Sequence, residues 1–413
     1  MRAYADATVT GSPDSAWNAE DIERLLAPVV RELPQPTSLS PLPFDLNAGV
    51  PDRATLPAEE LAQAAGRALT TDPAGALTYG GALGYEPLRA WIAGQQTQET
   101  GIALDATNVT LTAGSAHAID NIAATFIAPG DAVIVGAPSY PGAIRTFRAR
   151  GARLIEVPQD DDGLQMDALA AALEQQPADA PVKLIYVTAN YDNPSGSTLP
   201  LERRSELVRL AREHRVLVVE DDAYTGIDLE GPPPTSLFEV AGGEGIIRCG
   251  TFSKTIATGL RVGWTVASPP LIELLGFMRF DNGASPLLHR TVLEYLDSGT
   301  HAPHIERLRA LYRERRDVSA AALHRFCEPY VTFRLPSGGF FHWLTLREGL
   351  DAHDVAAAAT EQGVAVTPGP GYYASPGGHD RIRLVYSALP PEELTEAIKR
   401  FALALESVAS RAN

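Results

Sequence analysis

Gly250-Thr251-Phe252-Ser253-Lys254-Thr255-Ile256-Ala257-Thr258-Gly259-Leu260-Arg261-Val262-Gly263-Trp264 sets one lysine in a turn of small residues, with hydroxyls on both sides and an arginine seven residues on. A lysine amine condenses with an aldehyde to a Schiff base, and a hydroxyl beside a guanidinium holds a phosphate through charge-assisted hydrogen bonds. The stretch therefore suits a small molecule that carries both an aldehyde and a phosphate. A single lysine in a polar turn is ordinarily a solvated surface residue, so the weight falls on what the rest of the chain sets beside it.

Working outward, Ile246–Cys249 leads into the turn and Val262–Ala267 leaves it, both short and apolar. Similar runs stand at Val109–Thr112, Ala132–Val135, Leu154–Val157, Val182–Val187 and Val216–Glu220. Helical patterns lie between them, including Leu201–His214 and Ala116–Phe126, where Ile119, Ile122, Ala123 and Phe126 share a face. This alternation predicts an α/β protein whose large domain is a mostly parallel, seven-stranded sheet covered by helices.

Upstream, Phe44–Asp52 reads as a short strand entering a turn, Thr55–Thr70 as a helix, and Tyr79–Arg89 as a glycine-loosened loop running into another helix. Past about Pro303 a long charged helix precedes strands at Tyr330–Arg334, Gly339–Leu346, Val364–Thr367 and Arg381–Tyr386, with helices at Ala352–Gln362 and Pro391–Val408. The expected division is an N-terminal arm over 1–45, a large domain over 46–300, and a smaller α+β C-terminal domain over 301–413 that packs with part of the N-terminal segment. The arm combines a helical candidate, Ala19–Arg31, with the proline-rich Leu33–Pro43.

Composition narrows the chemistry. The 413 residues are 45% hydrophobic and 21% charged, a globular balance with ample core. With 34 basic against 51 acidic side chains the net charge is -17, which argues against nonspecific attraction to nucleic acid or anionic membranes. Cys249 and Cys327 form neither a disulfide framework nor a metal knuckle and are expected to be reduced. Asp6, Asp14, Glu20 and Asp21 mark an acidic N-terminus without the apolar run of a secretory signal, and no stretch approaches about twenty apolar residues. The expected location is cytoplasmic, so the acceptor-like triplet Asn108-Val109-Thr110 is read as chance.

In open α/β sheets ligands bind at the carboxyl ends of the strands. After Val109–Thr112 comes Ala113-Gly114-Ser115-Ala116-His117, a turn opening a helix whose free amides suit a phosphate. The next strand ends carry Pro138-Ser139-Tyr140, then Asn190-Tyr191-Asp192-Asn193-Pro194-Ser195-Gly196, then Asp221-Asp222-Ala223-Tyr224-Thr225, and finally the Lys254 turn. A phosphate turn, an aromatic platform, an amide, a carboxylate with a tyrosine, and an amine are together what pyridoxal phosphate needs. The carboxylate keeps the ring nitrogen protonated, so the ring can accept electrons from the substrate's α-carbon. Each piece has an ordinary alternative as a turn, a helix cap or a core residue, and their joint order carries the reading.

From about Leu46 onward the chain resembles the fold-type I, class I/II aminotransferase family. The resemblance implies that Lys254 is the Schiff-base lysine, Asp221 the partner of the pyridine nitrogen, and Tyr224 and Asn193 the groups on the ring's phenolic oxygen. It implies that Tyr140 stacks on the ring and that Gly114, Ser115, Ala116, Thr251, Ser253 and Arg261 serve the phosphate. Arg383, in Arg381-Ile382-Arg383-Leu384-Val385-Tyr386, matches the arginine that clamps the substrate α-carboxylate, with Gly49 and Asn193 beside it. Tyr79, ten residues before Arg89, resembles a tyrosine that reaches the partner subunit's phosphate, which implies a homodimer with shared sites. Ala116, His117 and Asp192 depart from the residues usual there, a departure that bears on the substrate.

The leading expectation is amino-group transfer between an α-amino acid and a 2-oxo acid. A lyase or synthase acting on an α-amino acid or an S-adenosylmethionine-like substrate, by β- or γ-elimination, cyclisation or carbon-carbon bond formation, uses the same carbanion and stays open. A non-catalytic sensor behind a winged helix is disfavoured, because the forty-odd residues before Phe44 cannot hold that reader. Gly245 and Gly250 have P-loop spacing, but Thr251 stands where that motif needs lysine. No metal-ligand set is evident, and His289, His304 and His342 are read as packing or surface residues.

Overall fold

Val133, Ile134 and Val135 are consecutive in sequence, and their side chains enter different cores. Val133 and Val135 join one apolar cluster and Ile134 another. Leu184 and Tyr186 alternate with Ile185 in the same way, as do Val219 with Val218 and Ile247 with Ile246. Successive strand residues point to opposite faces, so these strands are buried on both sides, the pattern of a helix-covered parallel sheet. Each fully buried branched side chain contributes about 2 kcal/mol of transfer free energy. The sheet is consequently a stiff platform for the loops at its edge.

The protein is described here by a computed structural model, which covers residues 17–27, 29–30, 40–175 and 181–412. Across the large sheet the strands run in the order Val109–Thr112, Gly263–Val266, Ile246–Thr251, Leu217–Asp221, Val182–Val187, Ala132–Ala137, Arg153–Asp160 and Gly163–Leu164. The five from Ile246–Thr251 to Arg153–Asp160 are mutually parallel, whereas Gly263–Val266 lies antiparallel to both of its neighbours. All seven expected strands are present. The eighth, Gly163–Leu164, folds back on Arg153–Asp160 through a turn too short for its two residues to register as a pattern.

Helices Ser115–Phe126, Pro141–Ala149 and Pro269–Phe277 cover one face through Ile119, Phe147 and Ile272. Helices Glu86–Thr100, Met166–Glu174, Leu201–His214 and Pro286–Asp297 cover the other through Ile92, Leu169, Leu207 and Val292. The C-terminal part has its own four-stranded sheet, ordered Val331–Thr332, Phe341–Leu346, Arg381–Val385, Thr367–Pro368, with helices His301–Cys327, Ala352–Glu361 and Pro391–Ala412. Phe44–Asp45 pairs in parallel with Val364–Ala365, and Leu46 is buried in the C-terminal core. The segment after Phe44 is thereby held against the C-terminal part, which brings Asn47 and Gly49 near Arg383.

The N-terminal helix covers Ala19–Leu25 with a capping box between Asn18 and Asp21, shorter than the expected Ala19–Arg31. Pro28 disfavours a helical residue before it, which accounts for the early stop. Arg31 and most of Leu33–Pro43 lie outside the described residues.

Candidate active site

The carboxyl ends of the central strands open on a cavity of about 480 Å³. Lys254, Asp221, Tyr224, Tyr140, Asn193, Ser115, Ala116, Thr251, Ser253, Arg261, Arg383 and Gly49 all line it, so residues spread over more than three hundred positions meet in one place. Tyr79 does not line the cavity of its own chain. It is 84% exposed, in the loop before helix Glu86–Thr100.

Strand Leu217–Asp221 ends on the carboxylate itself, because Asp221 still pairs with Cys249 of the next strand. Tyr186, on the adjacent strand, donates its hydroxyl to Asp221 Oδ2 at 2.6 Å, while Oδ1 is buried and has no partner. Burial pushes the Asp221 pKa up to about 6, against the opposing hydrogen bond from Tyr186. A desolvated carboxylate with one unmet oxygen is suited to a cationic N–H.

Lys254 donates to the carbonyl oxygen of Gly49 at 2.8 Å, and its ammonium lies 5.8 Å from the Tyr224 ring centroid. Burial lowers its pKa to about 8, helped by Arg383 and Arg261 and opposed by Asp221. The amine is thus poised to lose and regain a proton near neutrality. A side chain on Gly49 would meet the Phe341 ring at 2.8 Å, so the backbone that holds the lysine can approach only as glycine.

Arg383 is buried on strand Arg381–Val385, sandwiched by the Phe341 and Tyr372 rings at 4.5 and 5.2 Å. Its guanidinium donates to Asn193 Oδ1 at 2.8 Å and to the carbonyl of Asn47 at 2.5 Å, and its Nε is buried without a partner. Two aromatic walls and two fixed acceptors leave this planar group pre-oriented for a carboxylate.

At the other end, Gly114 caps helix Ser115–Phe126 with φ 84, and a Cβ there would stand 2.7 Å from Arg261 Nη2. Arg261, itself at φ 51, donates to the carbonyl of Ala113 at 3.0 Å, and Thr251 donates to Ser253 at 2.9 Å. Free helix amides, two hydroxyls and a guanidinium make a phosphate cradle. His117 does not line the cavity: its Nδ1 accepts the Ala113 amide at 3.0 Å, and burial with Arg279 nearby lowers its pKa, which keeps that nitrogen an acceptor. Asp192 sits behind Asn193, accepting from Ser195 Oγ at 2.7 Å, with burial raising its pKa to about 7.

These groups fit pyridoxal phosphate, on the evidence of the orphaned Asp221 oxygen and a cradle that a Cβ would fill. Several contributors escape sequence reading. Tyr186 is one, and its signal was available: a tyrosine flanked by Leu184, Ile185 and Val187 in a buried stretch of strand must find a partner for its hydroxyl. Asn47, Arg145, Thr188, Thr258 and Tyr372 also line the cavity, and their loop or helix positions carry no comparable mark. His289, His304 and His342 are all buried, as packing residues. Among the described residues no group of acidic, histidine or cysteine side chains is arranged for a metal, and no helix is long and apolar enough to cross a membrane.

The family described as aminotransferase class I and II matches residues 43–401. The sequence is 34% identical over 391 residues to the 2-aminoadipate transaminase of Thermus thermophilus, covering 93% of this chain and 95% of that one. It is 32% identical to aromatic-amino-acid aminotransferase 1 of Thermococcus litoralis, over 87% of each chain. The fold matches the crystal structure of alpha-aminoadipate aminotransferase from Thermus thermophilus, complexed with N-(5'-phosphopyridoxyl)-L-leucine, with a TM-score of 0.84 at 33% identity, covering 95% of this chain and 98% of that one.

Proposed function

The chain belongs to the class I and II aminotransferases, and on that premise we propose that Lys254 carries the cofactor and moves the proton in transfer of an amino group between an α-amino acid and a 2-oxo acid. The protein is a pyridoxal-phosphate-dependent aminotransferase. When bound, pyridoxal phosphate supplies an aldehyde for the substrate amine and a ring that accepts electrons from the α-carbon.

The chain's own residues do the rest. Asp221 would hold a proton on the ring nitrogen, and Tyr186 fixes that carboxylate. Tyr224 and Asn193 would donate to the phenolic oxygen, Tyr140 would lie against the ring, and Gly114, Ser115, Ala116, Thr251, Ser253 and Arg261 would hold the phosphate. Arg383 orients the substrate by its α-carboxylate, with Gly49 and Asn193 beside it. With the cofactor bound, the Lys254 amine would serve as the base that takes the substrate's α-proton and hands it on in the transfer. Its lowered pKa supports that role, since a general base works best near ambient pH. The observation that carries the proposal is the unpartnered Asp221 oxygen in the wall that also holds the perturbed amine.

The working unit is a homodimer in this reading. Leu77, Tyr79, Phe277 and Phe280 are all more than two-thirds exposed. The Tyr79 loop lies against the segment that follows Phe280, where a Cβ on Gly283 would sit 2.2 Å from the Gly81 oxygen. A contiguous apolar patch of this kind calls for a partner surface, and a second copy brings Tyr79 to the neighbouring phosphate. The chain divides near residue 300 into the cofactor-bearing part and the smaller part that carries Arg383, and it works in the cytoplasm, where its two buried thiols stay reduced.

The names of the relatives point to substrates such as 2-aminoadipate and aromatic amino acids. The test is a half-reaction: holoenzyme is mixed with single amino acids and no oxo acid, and products are quantified. One equivalent of 2-oxo acid and of pyridoxamine phosphate per site supports the proposal. Ammonia released with the cofactor still an aldehyde would replace it by elimination.

A further inference from the structure

We propose that Asp192 is held as the neutral acid at the head of a one-way hydrogen-bond chain, Asp192 to Thr188 to Tyr186 to Asp221, which keeps the negative charge of this wall on Asp221. Asp192 is then a positioning residue that acts through the other three. The inference rests on the pyridoxal-phosphate reading above and gives a task to a carboxyl which that reading leaves idle.

Strand geometry builds the chain. Tyr186 and Thr188 are two residues apart where strand Val182–Val187 runs out, so their side chains leave on the same side. The Tyr186 hydroxyl donates to Asp221 Oδ2 at 2.6 Å, and the Thr188 hydroxyl is hydrogen-bonded both to that phenol and to the Asp192 carboxyl. All four residues are buried, and Thr188 and Asp221 line the cavity.

Proton counting sets the direction. Each hydroxyl has one proton to give. Tyr186 gives its proton to Asp221, so its oxygen can only accept, and the donor there is Thr188. With its proton on Tyr186, Thr188 can only accept from Asp192, which must then carry a proton of its own. Asp192 Oδ2 already accepts from Ser195 N at 3.3 Å and Ser195 Oγ at 2.7 Å, which leaves Oδ1 for that proton. An ionised Asp192 would draw the Thr188 proton to itself and strip Tyr186 of its donor.

The surroundings favour the neutral form. Burial foremost, and the like charge of Asp221 with it, raise the Asp192 pKa to about 7 against the Ser195 bonds, and the Tyr224 phenol faces the same carboxyl. Among the described residues no basic side chain forms an ion pair with it. A buried carboxyl without a cation sheds its charge by holding its proton. Bonds aligned head to tail polarise one another, so the chain strengthens the hold of Tyr186 on Asp221.

The experiment compares wild type, Asp192→Asn, Asp192→Ala, Thr188→Val and the variant combining the last two. Infrared difference spectra of the apoproteins at about pH 6, below the Asp192 value of about 7, report the carbonyl stretch of a protonated carboxyl. The dissociation constant for pyridoxal phosphate is measured on each. The band should be present in wild type and absent in Asp192→Asn. Asp192→Asn, whose amide still donates to Thr188, should bind the cofactor within about 2-fold of wild type. Asp192→Ala and Thr188→Val should each bind it about 3- to 10-fold more weakly, the scale of one lost hydrogen bond. The combined variant should be no weaker than either, because both break the same chain. Absence of the band, an Asp192→Asn as weak as Asp192→Ala, a Thr188→Val that binds like wild type, or additive losses in the combined variant would each overturn the inference. Wild type that shows the band but binds no pyridoxal phosphate would instead count against the cofactor reading, so the two failures are distinct.

Discussion

Asp221 and Asp222 are neighbours in sequence with opposite surroundings: Asp221 lines the cavity and is held by Tyr186, whereas Asp222 is turned away and bound by Arg248 and Asn190. Arg248 is buried and also binds Glu99 at 2.7 Å and Gln96 at 2.7 Å, so Asp222 belongs to a closed ionic network. A strand alternates its side chains, and the end of Leu217–Asp221 thus gives one carboxylate to chemistry and the next to structure.

The two should separate in measurement. Asp221→Asn removes the charge proposed to keep the ring nitrogen protonated and should cost about 4 kcal/mol of barrier, a factor of roughly a thousand in kcat, with little change in apoprotein Tm. Asp222→Asn leaves Arg248 short of a buried partner and should cost about 3 kcal/mol of stability, lowering Tm by several degrees. Thermal melts and steady-state rates on both variants check this. The reverse pattern would exchange their roles.

The proposed shared site makes a second prediction. Lys254→Ala and Tyr79→Phe subunits should each be impaired, but a mixed dimer would concentrate both lesions in one site and leave the other whole. Partial recovery of activity should follow subunit exchange. A mixture no more active than its parents after verified exchange would refute shared sites.

The acid limb of stability supplies a third. His342 is buried between Phe333 and Tyr386, hydrogen-bonded to Ser319 Oγ at 2.8 Å, and burial drives its pKa down to about 3. Its folded value lies below its ordinary 6.5, so between the two the unfolded chain binds the extra proton. Its stabilising contribution is complete above 6.5 and is lost as pH falls towards 3, at about 1.4 kcal/mol per pH unit. Asp192 and Asp221 work in the opposite sense, because their raised values make the folded state the better proton binder between the usual carboxylate range and about 7 and 6. The comparison is therefore differential: between pH 6.5 and 5, wild type should lose about 2 kcal/mol more than His342→Gln. Equal losses would mean that the ring is not buried neutral.

The strands and most of the residues that gather in the cavity were legible because both have local signatures. Val182–Val187 is apolar apart from the exposed Lys183 and Val216–Glu220 is apolar up to its final glutamate, and Lys254, Asp221 and Asn193 each follow or end such a run at the carboxyl edge of the sheet. Arg145 and Asn47 were not legible, since their place in the cavity depends on how a helix and the N-terminal segment dock, and sequence spacing carries no trace of that. Tyr186 was legible in principle: its phenol could not be buried without an acceptor, and Asp221 is that acceptor.

The central claim is that Lys254 holds the cofactor, and the sequence makes it testable in one step, for the chain has three lysines, Lys183, Lys254 and Lys399. Lys183 and Lys399 are exposed, away from the cavity that Lys254 lines. Holoenzyme reduced with borohydride and mapped by peptide mass should carry one phosphopyridoxyl group, on Lys254, and Lys254→Ala should carry none and be inactive. A reduced adduct on Lys183 or Lys399, or full activity in Lys254→Ala, would contradict the account.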